Sequence, residues 1–290
     1  MELRVLRYFQ AVVREKNISR AADQLHVSQP AVSRQLRSLE EELGTTLFER
    51  GSRNIELTSS GEYFSNQVDQ ILSLTDKTLK NVQKNQDITG SIVIGAAETR
   101  IFLNVAQAIN NLRTTYPHIQ TNIISTDANE VRRSLKSGVF DFGVVVEPTN
   151  KDNYDFLTLP GESRWGLLVP NISPLAKQEH LSLEDLEDVD LIISRQTVST
   201  DLIESWYGNS KPKLNIVATF SLIYNAALMV SAGIGYALCL DGIINTNQSD
   251  LTFVPLSPRK TSGASLVWSK GTRLSPAAEA FLNQLIIDLK

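Results

Sequence analysis

The chain has little of what most protein chemistry requires. Its single cysteine, Cys239, allows no internal disulfide, and the apolar neighbours Ala237, Leu238 and Leu240 suit a buried small hydrophobe with no redox task. Its three histidines, His26, His118 and His180, lie in distant segments with no partner at metal-ligand spacing, so no metal site is expected. No nucleophile elbow, phosphate loop or kinase signature is present. Gly233-Ile234-Gly235 stops short of a nucleotide loop, because position 238 is leucine and the glycines precede a strand instead of joining strand to helix. Catalysis has no candidate residues, so neither an enzyme nor a cofactor is expected.

Long hydrophobic runs are also missing. None approaches the roughly 18 residues that a bilayer span needs, and the opening M-E-L-R-V-L-R-Y lacks the basic-then-apolar layout of a signal peptide. The expected compartment is the cytoplasm, with no membrane partner. Nor is there an excess of positive charge: the formal net charge is −4, so any attraction to nucleic acid must come from a local group of arginines. The hydrophobic fraction of 42% over 290 residues supports packed cores in two or three domains.

What is present concentrates in residues 19–50. Ser19 can cap a first helix whose inner face, Ala21, Ala22 and Leu25, is small enough to let a second helix cross closely. His26-Val27 forms the turn, at a position where glycine is common and a positive φ carries a modest cost. Ser28 can cap the next helix from Gln29, with Pro30 in the first turn, where its missing donor costs little. Val32, Leu36, Leu39 and Leu43 form one apolar stripe and leave Pro30, Ser33, Arg34 and Arg37 on the polar side. Gln29 can address an adenine edge, and the arginines a guanine or a phosphate; Ser33 permits close approach. A solvated amphipathic helix is the alternative for two arginines alone; the whole helix-turn-helix pattern favours reading of duplex DNA. Glu40, Glu41 and Glu42, later in that helix, are expected to face solvent or another subunit.

Two short apolar strands, 47–50 and 55–57, follow around a polar turn, a β-wing with Arg50 and Arg53 flanking its tip. Thr58 or Ser59 can start the next helix, Ser59 and Glu62 stand at capping-box spacing, and no breaker intervenes until about Asp87. Phe64, Val68, Ile71, Thr75, Thr78 and Val82, beside Leu72 and Leu79, form a heptad-like seam suited to self-pairing; packing on its own body is the alternative.

This block resembles the LysR-type transcriptional regulators. The motif A-A-x-x-L-x-V-S-Q-P-A-V-S corresponds to residues 21–33, L-E-x-x-L-G-x-x-L-F-x-R to 39–50, and L-T-x-x-G to 57–61. The resemblance implies an α+β multidomain chain. A winged helix-turn-helix (1–58) would be followed by a dimerising linker helix (59–87) and a two-lobed α/β effector domain like the periplasmic binding proteins. Lobe I would hold 91–162 and 266–290, lobe II 163–265. It implies a homodimer or homotetramer, promoter or operator DNA and a small-molecule effector as partners, with RNA polymerase as a further candidate. The DNA-facing set is then Ser19, Arg20, Ser28, Gln29, Pro30, Ser33, Arg34, Arg37, Arg50 and Arg53.

From residue 91 strands alternate with helices, as in a parallel sheet with crossovers. Strands are expected at 92–95, 120–125, 140–146, 166–169, 191–194, 215–220, 236–240, 251–254 and 264–268. Helices are expected at 100–116, 129–138, 183–186, 200–207, 224–232 and 276–289, and the family resemblance implies chain crossings near 159–164 and 261–265. Ligands of such sheets bind beyond the carboxyl ends of the strands. That places Glu98, Thr99, Arg100, Ser125, Thr126, Val146, Ser194, Thr197, Thr200 and Ser221 around an interlobe cleft. Thr99 is the leading effector contact, with helix capping as its alternative; Glu98 would oppose an anion or pair with an amine. Two rivals stand beside an effector-modulated regulator: a DNA-binding regulator that ignores ligands, and a solute-binding protein, which would have no use for residues 28–37.

Overall fold

The computed structural model describes residues 1–50, 55–82, 88–198, 200–208 and 212–290, with backbone alone for residues 50 and 80–82. The chain forms two compact units, Met1–Gln83 and Lys84–Lys290.

The first unit opens with α1 (Leu3–Glu15), α2 (Ile18–Gln24) and α3 (Gln29–Leu43). Phe9, Val12, Ala21, Ala22, Val32, Leu36 and Leu39 interlock as one core, so the small pair on α2 does admit its neighbours closely. Asn17, not Ser19, caps α2: its side-chain oxygen accepts from the Arg20 N–H at 3.1 Å, and Ser19 lies exposed inside the first turn. His26 has φ 55°, the left-handed conformation that the tight turn imposes. Ser28 stands at the cap of α3 but its hydroxyl makes no cap bond, so it is exposed and uncommitted. The apolar stripe of α3 ends early: Leu43, beside the terminating Gly44 (φ 67°), is 39% exposed, because the core it would join stops at Leu39.

Strands β1 (Phe48–Arg50) and β2 (Ile55–Leu57) pair antiparallel, and the tip with Arg53 lies outside the described residues. Glu40 does not face solvent or another subunit; its carboxylate accepts from the N–H groups of Leu47 (2.7 Å) and Phe48 (3.3 Å), pinning the wing to α3. Thr58 begins α4 (Ser59–Val82), its hydroxyl accepting from the Gly61 N–H at 3.0 Å, so the cap lies one residue before the Ser59–Glu62 box. A Cβ at Gly61 would stand 2.0 Å from the Leu47 carbonyl oxygen, which makes glycine obligatory for this approach of wing to helix.

The seam on α4 is corrected by one residue of phase. Val68 and Leu72 are buried in the core of their own unit, and Phe64 packs edge-on against Phe9 with ring centroids 5.1 Å apart. Gln10 donates to Asp69 at 2.6 Å and Arg7 pairs with Asp76, so this side of α4 is held against α1. The free side carries Gln67, Ile71, Leu74 and Thr78, again at spacings of four and three, with Tyr63 exposed two turns before Ile71. Of the expected seam residues, Ile71, Thr78 and Leu79 are exposed among those described; the Val82 side chain lies outside them.

The second unit has two α/β lobes that share two long strands. In lobe I the order is β4 (Ile119–Ser125), β3 (Gly90–Ala96), β5 (Phe142–Val146), β11 (Thr261–Ser269) and the first half of β6 (Tyr154–Pro170). The first three are mutually parallel and β11 runs antiparallel. Alternating residues serve two layers. Phe142 and Val144 face α5 (Leu103–Thr115) and α10 (Pro276–Asp288) in one core, while Val145 joins Val131 and Leu135 of α6 (Ala128–Lys136) in another. The helix expected over 100–116 begins as a 3-10 turn, Arg100–Phe102, before α5 proper.

Lobe II continues β6 into a sheet with β10 (Leu251–Pro255) on one side and β9 (Tyr236–Leu240), β7 (Asp190–Ser194) and β8 (Asn215–Phe220) on the other. Helix α9 (Ile223–Ser231) covers one face, against Ile192, Ala237 and Cys239. The helix expected at 200–207 is the shorter α8 (Leu202–Trp206), an unexpected one-turn helix α7 (Arg195–Val198) precedes it, and the helix expected at 183–186 is a 3-10 turn, Glu184–Leu186. The β6–β11 ladder crosses between lobes, Leu159 opposite Ala264 and Arg164 opposite Thr261, with a bulge between Ser262 and Ala264. Strand β6 starts at Tyr154, twelve residues before the strand expected at 166–169.

Candidate functional site

Two surfaces carry the candidate residues, one in each unit. On the first, α3 presents Gln29, Pro30, Arg34 and Arg37 to solvent, with Ser33 half-buried among them. Arg34 and Arg37 form no ion pair among the described residues, so their guanidinium groups are available to an external anion. Arg20 is partly engaged, donating to the Glu15 carbonyl at 3.0 Å. Ser28, its hydroxyl uncommitted, stands at the N-terminus of this fifteen-residue helix, where free N–H groups and the helix dipole favour a phosphate. Arg50 ends β1, and its side chain, like Arg53, lies outside the described parts.

The second surface is the cleft between the lobes, about 780 Å³ including its open mouth. Seven of the ten expected residues line it: Glu98, Thr126 and Val146 from lobe I, and Ser194, Thr197, Thr200 and Ser221 from lobe II. Thr99, Arg100 and Ser125 line a neighbouring recess with Phe102, Ile123 and Gly242. Thr99 is buried, accepts from the Ile101 N–H at 3.3 Å and lies 3.3 Å from the Ser163 hydroxyl of the crossing strand, so it caps and braces the hinge. Arg100 approaches Asp241 of lobe II at 3.7 Å, and the same carboxylate accepts from Arg164 Nε at 3.1 Å.

Several lining residues carry no motif. Trp165, Leu238, Cys239 and Leu240 form a buried apolar back wall, and Phe220, Leu202 and Ile243 extend it. Trp165 donates its indole N–H to the Ser262 hydroxyl at 2.9 Å. Asp127 caps α6 by accepting from the N–H groups of Asn129 (2.9 Å) and Glu130 (3.0 Å). Glu147 accepts from the Ser265 hydroxyl at 2.7 Å and pairs with Lys151. Asp127, next to Thr126 after a strand, follows from the same strand-end argument; Trp165 does not, since it lies within a strand. Burial first, and then the Asp241 carboxylate, push the Cys239 thiol up to about 12, so it stays protonated and unreactive.

Two family models cover nearly the whole chain. A bacterial regulatory helix-turn-helix of the lysR family matches residues 3–62, and the LysR substrate binding domain matches residues 85–288. The chain belongs to the LysR family. As a LysR-type DNA-binding transcriptional regulator with an effector-binding domain, it is 29% identical to the Hca operon transcriptional activator HcaR of Escherichia coli K12, over 97% of this chain and 96% of that protein. It is 31% identical to the regulator BenM of Acinetobacter baylyi, over 88% and 86% of the two chains. The LysR regulator CbnR shares the fold at 21% identity, TM-score 0.77, with each chain fully covered. Full-length BenM superposes with TM-score 0.54 at 26% identity, covering 99% of this chain and 96% of that one.

Proposed function

We propose that this regulator reads operator DNA with the solvent face of α3 and is switched by a small molecule held between the lobes of its second unit, acting as a homo-oligomer in the cytoplasm and catalysing no reaction. The observation that carries the reading is the α3 face: Gln29, Arg34 and Arg37 exposed, the arginines uncommitted, on a helix whose opposite stripe is locked in a core. A solved complex of CbnR with its target DNA, TM-score 0.75 at 20% identity, lends this role precedent in a protein of the same fold. Wing residues Arg50 and Arg53 are proposed to follow the flanking phosphates.

The cleft supports effector binding by its chemistry. An apolar wall of Trp165, Phe220 and Leu240 faces the hydroxyls of Thr126 and Ser221, which make no side-chain hydrogen bond among the described residues. Self-association is supported by the free side of α4 at Ile71 and Leu74, and by apolar residues exposed on the outer strands and helices of the second unit: Ile123 and Ile124 with Leu103, and Ile216 and Val217 with Leu228.

The test is DNA binding by Arg34→Ala and Gln29→Ala. Each is expected to cost about 1–3 kcal/mol at the cognate operator, with the second unit folded as before. Unchanged operator affinity in both would remove the base-reading assignment.

A further inference from the structure

We propose that Glu98 sets the charge of the effector: it closes the anion-binding wall of the cleft with its own carboxylate, so the ligand that fits carries an ammonium group there and not a carboxylate. The inference rests on the reading of this cleft as the effector site.

The loop that carries Glu98 belongs to lobe I, and α9 belongs to lobe II. Across the cleft, the first N–H of α9, that of Ile223, donates to Glu98 Oε2 at 2.6 Å. Leu222, which stands at the cap of α9, offers no side-chain acceptor, so an acid from the other lobe supplies what the helix itself lacks. An anionic ligand would need these N–H groups, because a helix N-terminus combines free donors with partial positive charge. Here that position is taken.

Two other helix starts facing the cleft, those of α6 and α7, are filled as well. Asp127 occupies the start of α6, where Gln196 of lobe II also accepts from the Ala128 N–H at 3.4 Å, and Ser194 accepts from the Thr197 N–H at 3.0 Å in α7. Of the charged groups in the lining, Glu98, Asp127 and Glu147 are acids and Arg195, which is exposed, is the base. A ligand carboxylate at the α9 wall would meet the charge of Glu98 where the Ile223 N–H would otherwise be offered, with the Ser221 hydroxyl as the nearest neutral donor. An ammonium would instead be accepted by the Glu98 carboxylate, whose other oxygen, Oε1, has no donor among the described residues, while an apolar body rests on Trp165 and Phe220. Glu98 therefore both bridges the lobes and selects what may bring them together.

The full-length protein can be titrated with three near-isosteric probes, 2-phenylethylamine, phenylacetamide and phenylacetate, following tryptophan emission and thermal shift. Wild type is expected to bind the amine at least about tenfold more tightly than phenylacetate, the worth of one charge-assisted contact. Glu98→Gln, which keeps an acceptor and removes the charge, is expected to erase that preference; Glu98→Ala, which bares the Ile223 N–H, is expected to reverse it. Failure of the amine to bind, a wild-type preference for phenylacetate, or the wild-type preference persisting in both variants would overturn the proposal. Thr126→Phe and Ser221→Phe, two independent ways to fill the cleft, separate the levels. Amine binding lost in either supports the site, and amine binding undiminished in both overturns the reading of the cleft itself.

Discussion

The two units put their functional residues on the chain in opposite ways. In the first, Gln29, Ser33, Arg34 and Arg37 share one face of one helix, so the site is local and its scaffold, the stripe Val32, Leu36 and Leu39, is woven through the same fifteen residues. In the second, the cleft collects residues from Ala97 to Ile243 out of separate strands, strand ends and helix starts of both lobes. A local site is rigid because its helix is; a dispersed site is exact only while two lobes hold their spacing. The first suits a reader of a fixed groove, the second a ligand whose binding must move something.

The sharpest way to break this comparison is to melt one half alone. Phe9 is fully buried and meets both Phe48 and Phe64, so Phe9→Ala is expected to cost the first unit about 3–5 kcal/mol. Calorimetry should show the DNA-binding transition falling while that of the second unit holds. Both transitions moving together would mean that the units do not fold separately.

A smaller and more selective effect separates the two sides of α4. Leu74→Asp, on the free side, should weaken self-association in sedimentation while leaving the melting temperature nearly unchanged. Leu72→Asp, two residues away and 2% exposed, should unfold the unit instead by burying a charge. Equal behaviour of the two variants would abolish the distinction between the sides.

That distinction marks where the residues alone stop being informative. The α2–turn–α3 pattern was legible because the small residues, the early proline and the periodicity all act within one or two helical turns, although Asn17, not Ser19, caps α2 and Ser28 makes no cap bond. The alternation of strands and helices in the second unit was legible for the same reason. The phase of α4 was not: positions 64, 68 and 72 and positions 67, 71 and 74 are both periodic, and the choice is made by α1, whose Arg7 and Gln10 take hold of Asp76 and Asp69. Glu40 misled similarly, since its partners are backbone N–H groups whose position depends on where the wing turns. In the cleft, strand-end polar residues could be named one by one, but Thr99 went to the hinge and Trp165 came to the wall through a crossing strand. The cap that Thr99 makes to Ile101 was its local alternative; its contact with Ser163 and the place of Trp165 both come through the crossing strand and have no signature in local pattern.

The smallest expected effect concerns the one residue that could make the second unit a redox device. Cys239 lines the cleft yet is 5% exposed, and its thiol is pushed from 9.0 up to about 12 by burial first and by the Asp241 carboxylate second. Since the folded value is the raised one, the protonated thiol contributes stability that is whole below pH 9.0 and is lost as the pH climbs through about 12. At neutral pH, iodoacetamide should therefore modify the native protein no faster than the unfolding rate allows, and an effector in the cleft should slow it further. Rapid alkylation of folded protein near pH 7, with a Cys239→Ala control showing none, would mean that the back wall opens in the native state; the cleft would then be as mobile in its floor as in its two lobes.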